Sequence, residues 1–512
     1  MDAKNRRIAK NTLLLYVRML FTMAISLYTS RVVLHVLGVT DYGVYNVVGG
    51  VITLLGFLTN SMSGASSRYI TFSLGKGDMG EMRRTFGNIL SIHFLLAGVV
   101  LLLGETIGLW FVLEKLRIPS DRMDAALWVY HFSVLTAMLG VVSVPYNAAI
   151  IAHERMGAFA YIGIVDALLK LVIVYLLWVM PYDKLVIYAL LLFGVQVFDR
   201  IVYGWYCVRH FEETRAGFLF DKRLFREMFA YAAWTMNGNL AVVGYTQGIN
   251  ILLNLFYGPV VNAARGIATQ VQTVAQSFCS NFQTALNPQL TKSYARGDLP
   301  RMHQLLTQSS KFSFFILWLI ALPLMLEAPL VLRWWLGIVP EHTENFLRLV
   351  LCSSMLATLS NPLLVSVHAT GNLKRFQLIE GTMLLSIVPI AYLLLKLFGI
   401  RPEYVFCVHI VVELCTQYAR MRIVLPMIAM RVSRYVREVV WPIVKVVLAS
   451  PIIPLMVYLL LRQSVASFLL VCTVSVLSLC MAVYYLGCSR DERESLKVMA
   501  LAKITRRTNS EN

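Results

Sequence analysis

Seven residues fall at spacings of three and four on one stretch of membrane-spanning length: Asn262, Arg265, Thr269, Gln272, Gln276, Cys279 and Gln283. At about 100° per residue, that spacing lines one face of a helix. Asn and Gln amides both donate and accept hydrogen bonds. Arg265 adds a planar fork of donors matched to phosphate oxygens. Three other stretches carry comparable stripes. Asn11, Arg18, Thr22, Ser26 and Thr29 lie within roughly 80° of one another on a helix. Asn46, Thr53, Asn60 and Ser67 recur every seven residues, with Arg68 adjacent. Thr235, Asn239, Thr246, Asn250, Asn254 and Tyr257 share a further face.

The elements that must carry these stripes are set by composition. The chain has 512 residues, 58% hydrophobic and 14% charged. Soluble proteins hold roughly 45–50% apolar and about 25% charged residues. A membrane-spanning helix needs about 20 mostly apolar residues, and the chain offers about fourteen such stretches. The first follows Lys4, Arg6, Arg7 and Lys10 with no small-residue cleavage site after it, so it reads as a retained span. The expected fold is an all-α integral membrane protein with about fourteen transmembrane helices: two pseudo-symmetric six-helix lobes plus two C-terminal helices. The net charge of +18 fits the positive-inside rule better than nucleic-acid binding. With the N-terminus inside, Arg83, Arg84, Arg215, Arg223, Arg301 and Arg434 fall on the cytosolic side, and both termini are cytosolic.

The second half echoes the first. Gly38 aligns with Gly258, and at the same offset Gly77-Asp78 aligns with Gly297-Asp298. At a second constant offset Met138, Pro145, Ala152, Phe159 and Tyr175 meet Met355, Pro362, Ala369, Phe376 and Tyr392. The expected organisation is an N-lobe over 1–211, a cytosolic connector over 212–226, a C-lobe over 227–430, two extra spans over 431–488 and a cytosolic tail over 489–512. Internal repeats in a polytopic membrane protein point to alternating access around a site between the repeats. Gly49-Gly50, Gly56 and Gly64 are placed to bend the second span, Pro288 to kink the eighth, and Pro145 and Pro362 to mark equivalent kinks.

Several chemistries are absent. Gly75-Lys76-Gly77-Asp78-Met79-Gly80 satisfies GxGxxG but follows an apolar helical span, not a strand. Its repeat partner keeps only Gly-Asp, as a helix-to-helix turn would. There is no GxxxxGK[ST] and no HExxH. The eight cysteines include no CxxC and read as packing residues. The chain is not expected to be an enzyme, and neither a cofactor nor a metal is expected.

A polar stripe on a spanning helix must face protein or water. One reading is interhelical hydrogen bonding. The other is a shared aqueous cavity, lined by Thr22, Ser26, Asn46, Thr53, Asn60, Asn239, Thr246, Asn250, Thr269, Gln272, Gln276 and Gln283. Arg18, Arg68 and Arg265 would make that cavity cationic and could hold a pyrophosphate; the competing reading is snorkelling to headgroups. Asp166 and Lys170 stand one turn apart as an expected ion pair. Asp166, Lys170, Glu380 and Glu413 are candidates for energy coupling, with structural pairing as the alternative.

The stretch Ser30-Arg31-Val32-Val33-Leu34-His35-Val36-Leu37-Gly38-Val39-Thr40-Asp41-Tyr42-Gly43-Val44-Tyr45 resembles the first-to-second-span signature of bacterial polysaccharide flippases. So do Asn262-Ala263-Ala264-Arg265-Gly266-Ile267-Ala268 and the run from Asn281 to Tyr294. These are Wzx-type members of the multidrug/oligosaccharidyl-lipid/polysaccharide exporter (MOP) superfamily, a MATE-like fold. The resemblance implies a flippase that moves undecaprenyl-pyrophosphate-linked oligosaccharide across the bacterial cytoplasmic (inner) membrane for surface polysaccharide or lipopolysaccharide synthesis. Its expected partners are membrane lipid, the polyprenyl-pyrophosphate-linked glycan and other polysaccharide-assembly membrane proteins; nucleic acid is not expected. The alternative is a multidrug/cation antiporter of the same superfamily, which would prefer an acidic cavity; the stripes hold no carboxylate. A membrane-bound glycan polymerase is disfavoured by short outer loops, and a non-transporting scaffold would tolerate loss of Arg18 and Arg265.

Overall fold

Lipid cannot hydrogen-bond the backbone, so apolar runs of this length close their own N–H and C=O groups as helices. The architecture comes from a computed structural model. It describes residues 3–494 except Gly77, Glu154, Ala216, Leu373, Arg462, Gln463 and Asp491. Side chains are described from Arg18 onward, apart from 230–237 and scattered positions that include Asn60, Gly64, Arg68 and Pro288.

The described residues hold no strand and form fourteen successive helical passes. The first occupies 3–37, and the second runs from 39 to 76 with a break at 54–55. Passes three to six are Met79–Glu114, Ser120–Ala152, Gly157–Val179 and Lys184–His210. Pass seven is Lys222–Tyr257, pass eight Pro259–Ala295 and pass nine Leu299–Leu326. Passes ten and eleven are Thr343–Thr370 and Lys374–Phe398, and pass twelve is Glu403–Met427. Val432–Leu460 and Val465–Gly487 complete the set as thirteen and fourteen. Among the described residues, eleven helical segments are long and apolar enough to cross a membrane. The segments outside that group, Gly56–Lys76, Pro259–Ala295 and Glu403–Met427, carry polar residues in their interiors. Large apolar side chains such as Trp110, Trp128, Trp178 and Trp441 are exposed on the protein surface, as lipid-facing residues should be.

The repeat has a backbone signature. Gly38 separates passes one and two at φ 79, ψ 169, and Gly258 separates passes seven and eight at φ 84, ψ −174. That region is essentially restricted to glycine, so one sharp turn recurs at repeat-equivalent positions. The Gly-Asp pairs are explained similarly. Asp78 caps pass three by accepting from the Gly80 and Glu81 N–H groups at 2.8 and 3.2 Å. Asp298 caps pass nine through the Arg301 N–H at 3.0 Å, after Gly297 at φ 74. The dinucleotide-like motif is therefore a helix start.

The two prolines differ. The helix Met123–Ala152 continues through Pro145, whereas pass ten breaks at Leu359, just before Pro362. Of the two positions expected to kink, the one at Pro362 is accompanied by an interruption of the helix. A proline leaves the carbonyl four residues back without its helical donor, and for Pro362 that carbonyl belongs to Thr358. The Gln283 amide donates to it at 2.8 Å.

The chain forms two compact units. One contains the residues up to Gln270 with Arg333–Phe346 and Gln377–Val412; the other contains Val271–Leu332, Leu347–Phe376 and the chain from Glu413. In the first unit, Val44, Val47 and Val48 of pass two pack with Tyr130 and Val134 of pass four and Leu185 of pass six. A second cluster joins Phe86, Tyr146, Ile150, Cys207 and Met228. In the second unit, polar bonds align the helices: Tyr435 Oη with Ser310 Oγ at 3.0 Å, and Trp318 Nε1 donating to Ser450 Oγ at 2.9 Å.

Candidate functional site

Arg265 lies near the start of pass eight, where Gly258 and Pro259 bring that helix against pass two. A Cβ at Gly43 would fall on the Pro259 carbonyl, and one at Gly266 would fall 2.8 Å from the Asn46 amide oxygen. Polar groups fill this crossing. Asn46 Nδ2 donates to Tyr42 O at 2.7 Å, Asn250 Nδ2 to Asn46 O at 3.2 Å, and Asn262 Nδ2 to Asn250 O at 2.7 Å. Arg265 is 9% exposed, and its Nη2 donates to Thr246 O at 2.6 Å. Its Nε is buried and makes no hydrogen bond. Buried arginines are ordinarily neutralised by an acid; this one has a carbonyl as its hydrogen-bond partner.

Arg18 has different surroundings. Its guanidinium lies 4.2 Å over the Phe159 ring and against Gly163, whose missing side chain makes the space. This is a cation–π seat between passes one and five. Thr22 Oγ1 bonds back to Arg18 O at 2.9 Å, and Ser26 accepts Gln270 Nε2 at 2.8 Å on its carbonyl and 3.1 Å on its hydroxyl. Thr53 bonds to Gly49 O at 2.9 Å and borders a cavity of about 480 Å3 with Tyr45, Gly56, Ser133 and Thr136. Thr246 and Thr269 likewise bond to carbonyls of their own helices, at 2.6 and 3.0 Å. Asn239 is half-buried. The side chains of Asn60 and Arg68 lie outside the described residues.

Within the second unit, the polar face of pass eight meets pass ten. Gln272 Nε2 donates to Ser354 Oγ at 2.8 Å, and Gln283 reaches Thr358 as above. Gln276 is half-buried. Much of the stripe chemistry thus holds helices together, which is why polar residues survive at this spacing in lipid.

The acids differ in their surroundings. Asp166 meets Lys170 at 2.8 Å, one turn apart. Asp199 of pass six lies within hydrogen-bonding reach of Asp166 and keeps Oδ1 buried and unbonded. Glu380 is half-buried in pass eleven. Glu413 is buried and bound to Arg420 at 2.6 Å, with Ser360 and Gln417 completing the cluster. Sequence reasoning passed over Asp199 and Arg420. Arg420 stands seven residues after Glu413, the spacing that returns a helix to one face, so it was there to be found.

The run from Ser30 to Tyr45 now has structural content. Gly38 makes the turn, Gly43 admits Pro259, and Asp41 holds Arg122 in a two-pronged ion pair at 2.8 and 2.6 Å. Arg122 also grips Asp183 at 2.6 Å. One guanidinium therefore ties together the starts of passes two, four and six.

A family model described as polysaccharide biosynthesis protein matches residues 8–294. The chain belongs to that family. No curated protein sequence matches it. Among solved structures, the chain is similar to the lipid II flippase MurJ in an inward closed conformation, with 12% identity over 92% of this chain and 98% of that one, and a TM-score of 0.71. It is similar to an inward-facing multidrug resistance MATE family transporter of the MOP superfamily, with 14% identity over 82% and 99% and a TM-score of 0.66. A MOP superfamily transporter from Pyrococcus furiosus, described as having a binding pocket of reversed polarity, shares 14% identity over 83% and 96%, with a TM-score of 0.58. At these identities the likeness is one of fold. This member of the polysaccharide biosynthesis family is a multi-pass membrane protein with the fold of MOP superfamily transporters.

Proposed function

We propose that the protein is a flippase that carries undecaprenyl-pyrophosphate-linked oligosaccharide across the bacterial cytoplasmic membrane for surface polysaccharide synthesis. Movement would be alternating access of the repeats 1–211 and 227–430 about the 212–226 connector, with both termini cytosolic. The observation that carries the reading is Arg265: a buried guanidinium with an unbonded Nε and, among the described residues, no acid on it, in a polar crossing of helices. An uncompensated buried cation is costly and suits a site whose anion arrives with the substrate. Pyrophosphate oxygens match its donors. Arg18, Arg68, Thr22, Ser26, Asn46, Thr53, Asn60, Asn239, Thr246, Asn250 and Thr269 are assigned to the same substrate path, whereas the Gln272 and Gln283 amides are already spent on Ser354 and Thr358 of pass ten; Gln276 is a further candidate for sugar hydroxyls.

Energy coupling is assigned to the acids. Glu413 is already neutralised by Arg420, and Glu380 and Lys170 remain secondary candidates. Supporting a role for Asp166 is the Asp199 carboxyl of pass six, which lies beside it.

The test is leaflet-resolved analysis of lipid-linked glycans in cells with and without the protein. The expected result is inner-leaflet accumulation of the undecaprenyl-pyrophosphate glycan, relieved by wild type but not by Arg265→Ala. An unchanged distribution, together with increased sensitivity to cationic drugs, would replace this reading with drug efflux.

A further inference from the structure

A second polar cavity, of about 630 Å3, opens in the second unit where passes nine and thirteen begin and pass fourteen ends. Its walls are fixed. Tyr435 bonds Ser310, and His303 Nε2 donates to Ile428 O at 2.8 Å, which holds the chain entering pass thirteen against pass nine. At Gly487 a Cβ would sit 2.9 Å from the Phe315 ring and 3.2 Å from Val446, so glycine lets pass fourteen close on both neighbours. Around the space stand Lys311, Arg434 and Arg437, with Gln304, Gln308 and Ser489 as further hydrogen-bonding groups.

The charges show what the cavity is built to receive. The Lys311 side chain is 5% accessible, and its ammonium is held at 2.6 Å by Glu492, from the segment that follows pass fourteen. Glu492 is itself part of a cap: its carboxylate accepts the Ser489 N–H at 2.8 Å, and its own N–H donates to Ser489 Oγ at 3.3 Å. Arg434 is engaged by Glu438 at 2.8 Å. Among the described residues, three cations face two carboxylates, and Glu492 places one carboxylate oxygen on the buried ammonium. A phosphate oxygen is the chemical equivalent of that oxygen. It offers additional acceptors to the exposed Arg434 and Arg437.

We propose that this cavity is a binding site for a phosphate group, in which Glu492 occupies the phosphate position on Lys311 until a phosphate-bearing ligand displaces it. The site is separate from the arginines assigned to substrate, and its existence does not depend on what the protein transports. A cavity at the ends of membrane passes is reachable from the headgroup layer, so an acidic phospholipid is one source of the phosphate and a soluble phosphate ester the other.

The experiment uses the full chain in a neutral detergent and reads thermal stability while phosphatidylglycerol, phosphatidylcholine or glycerol phosphate is titrated in. Phosphatidylglycerol should raise the melting temperature more than phosphatidylcholine. Arg434→Ala with Arg437→Ala should weaken the apparent affinity about tenfold, the scale of a lost charge-assisted contact. Glu492→Gln should shift it the opposite way, because it removes the competing carboxylate. Both arginines are exposed, so their replacement leaves the fold intact. Glycerol phosphate acting as well as the lipid, with the same dependence on the variants, would assign the site to soluble phosphate esters. Equal effects of the two lipids with no response to glycerol phosphate, or a wild-type response in the double arginine variant, would overturn the proposal.

Discussion

Arg265 and Arg420 are both buried inside helical passes, yet the protein treats them differently. Arg420 has its Nη1 within 2.6 Å of Glu413 and of Ser360 Oγ. Arg265 has a single backbone carbonyl and an unbonded Nε. Desolvating a charge costs several kcal/mol whether or not a partner waits. Where the partner is built in, the charge belongs to the fold. Where it is missing, the cost is tolerated for something outside the fold. The comparison separates arginines that hold helices from one that is available to a ligand, which residue type and spacing alone do not do.

The largest effect should come from the fully spent pair. Arg420→Ala leaves a buried Glu413 carboxylate without its cation and should cost about 3–5 kcal/mol, seen as a large drop in melting temperature in detergent or loss of folded protein. Arg420→Met combined with Glu413→Leu should recover most of that, because removing both charges removes the desolvation cost with the attraction. A double variant as unstable as the single one would mean that Arg420 acts through packing.

Next comes the clamp at Arg122, which is partly exposed and so worth less. Arg122→Ala should cost about 1–2 kcal/mol, given two short charge-assisted contacts in partial solvent. It also carries a pH signature. The hydrogen bond from Arg122 is the main cause holding the Asp183 carboxyl below its ordinary range, with the N-cap bonds to Val186 and Leu185 adding to it. A depressed folded pKa means that this contribution is complete above the unfolded value, about 3.9, and is lost as pH falls through the lower folded value. Wild type should therefore lose stability below about pH 4 more steeply than Arg122→Ala does; parallel acid profiles would remove Arg122 from the set of fold-holding charges.

Much of this fold is legible in the sequence because lipid leaves few choices. Apolar runs of spanning length must be helices, and the recurrence of Gly38 at Gly258 is written in both residue type and backbone angle. Asp78 and Asp298 are readable as helix starts for the same reason, since an N-cap is kept at both. The division of polar residues between bonding and binding is not legible. Asn250 and Thr246 lie on one stripe of pass seven, but Asn250 spans two helices while Thr246 folds back on its own. Gln283 reads as cavity lining until the break at Pro362 exposes a carbonyl that needs a donor. Those outcomes depend on which residue lies across from each stripe, and sequence periodicity describes one helix at a time. Arg420 is divided: its pairing with Glu413 is legible from their seven-residue spacing on one helix, but its bond to Ser360 on another pass is not.

Gln283 is the intermediate case and predicts a smaller loss. Gln283→Leu keeps the volume but leaves the Thr358 carbonyl without a donor. Side-chain hydrogen bonds inside membranes average about 0.6 kcal/mol, so a shift of one or two degrees in melting temperature is expected. Restoring the helical donor with Pro362→Ala should make the Gln283 substitution harmless, because the backbone N–H gained at that position could then bond the Thr358 carbonyl. A Gln283→Leu penalty that persists in the Pro362→Ala background would break the link between the two.

Arg265 should show the smallest effect on stability and the largest on transport. Arg265→Met removes a buried charge whose unbonded Nε contributes nothing to cohesion, and it loses one bond to Thr246 O. The gain from no longer desolvating a guanidinium offsets that bond, so the melting temperature should stay level or rise. Translocation of the lipid-linked glycan should fall sharply, and Arg265→Lys should restore only part of it. An ammonium keeps the charge but not the planar fork. The discriminating observation is the combination of the two readouts in the same protein. A drop in stability as large as that of Arg420→Ala would place Arg265 with the structural arginines and remove the main support for an anionic substrate at this crossing. Stability retained with translocation lost would mark its positive charge as kept for the ligand.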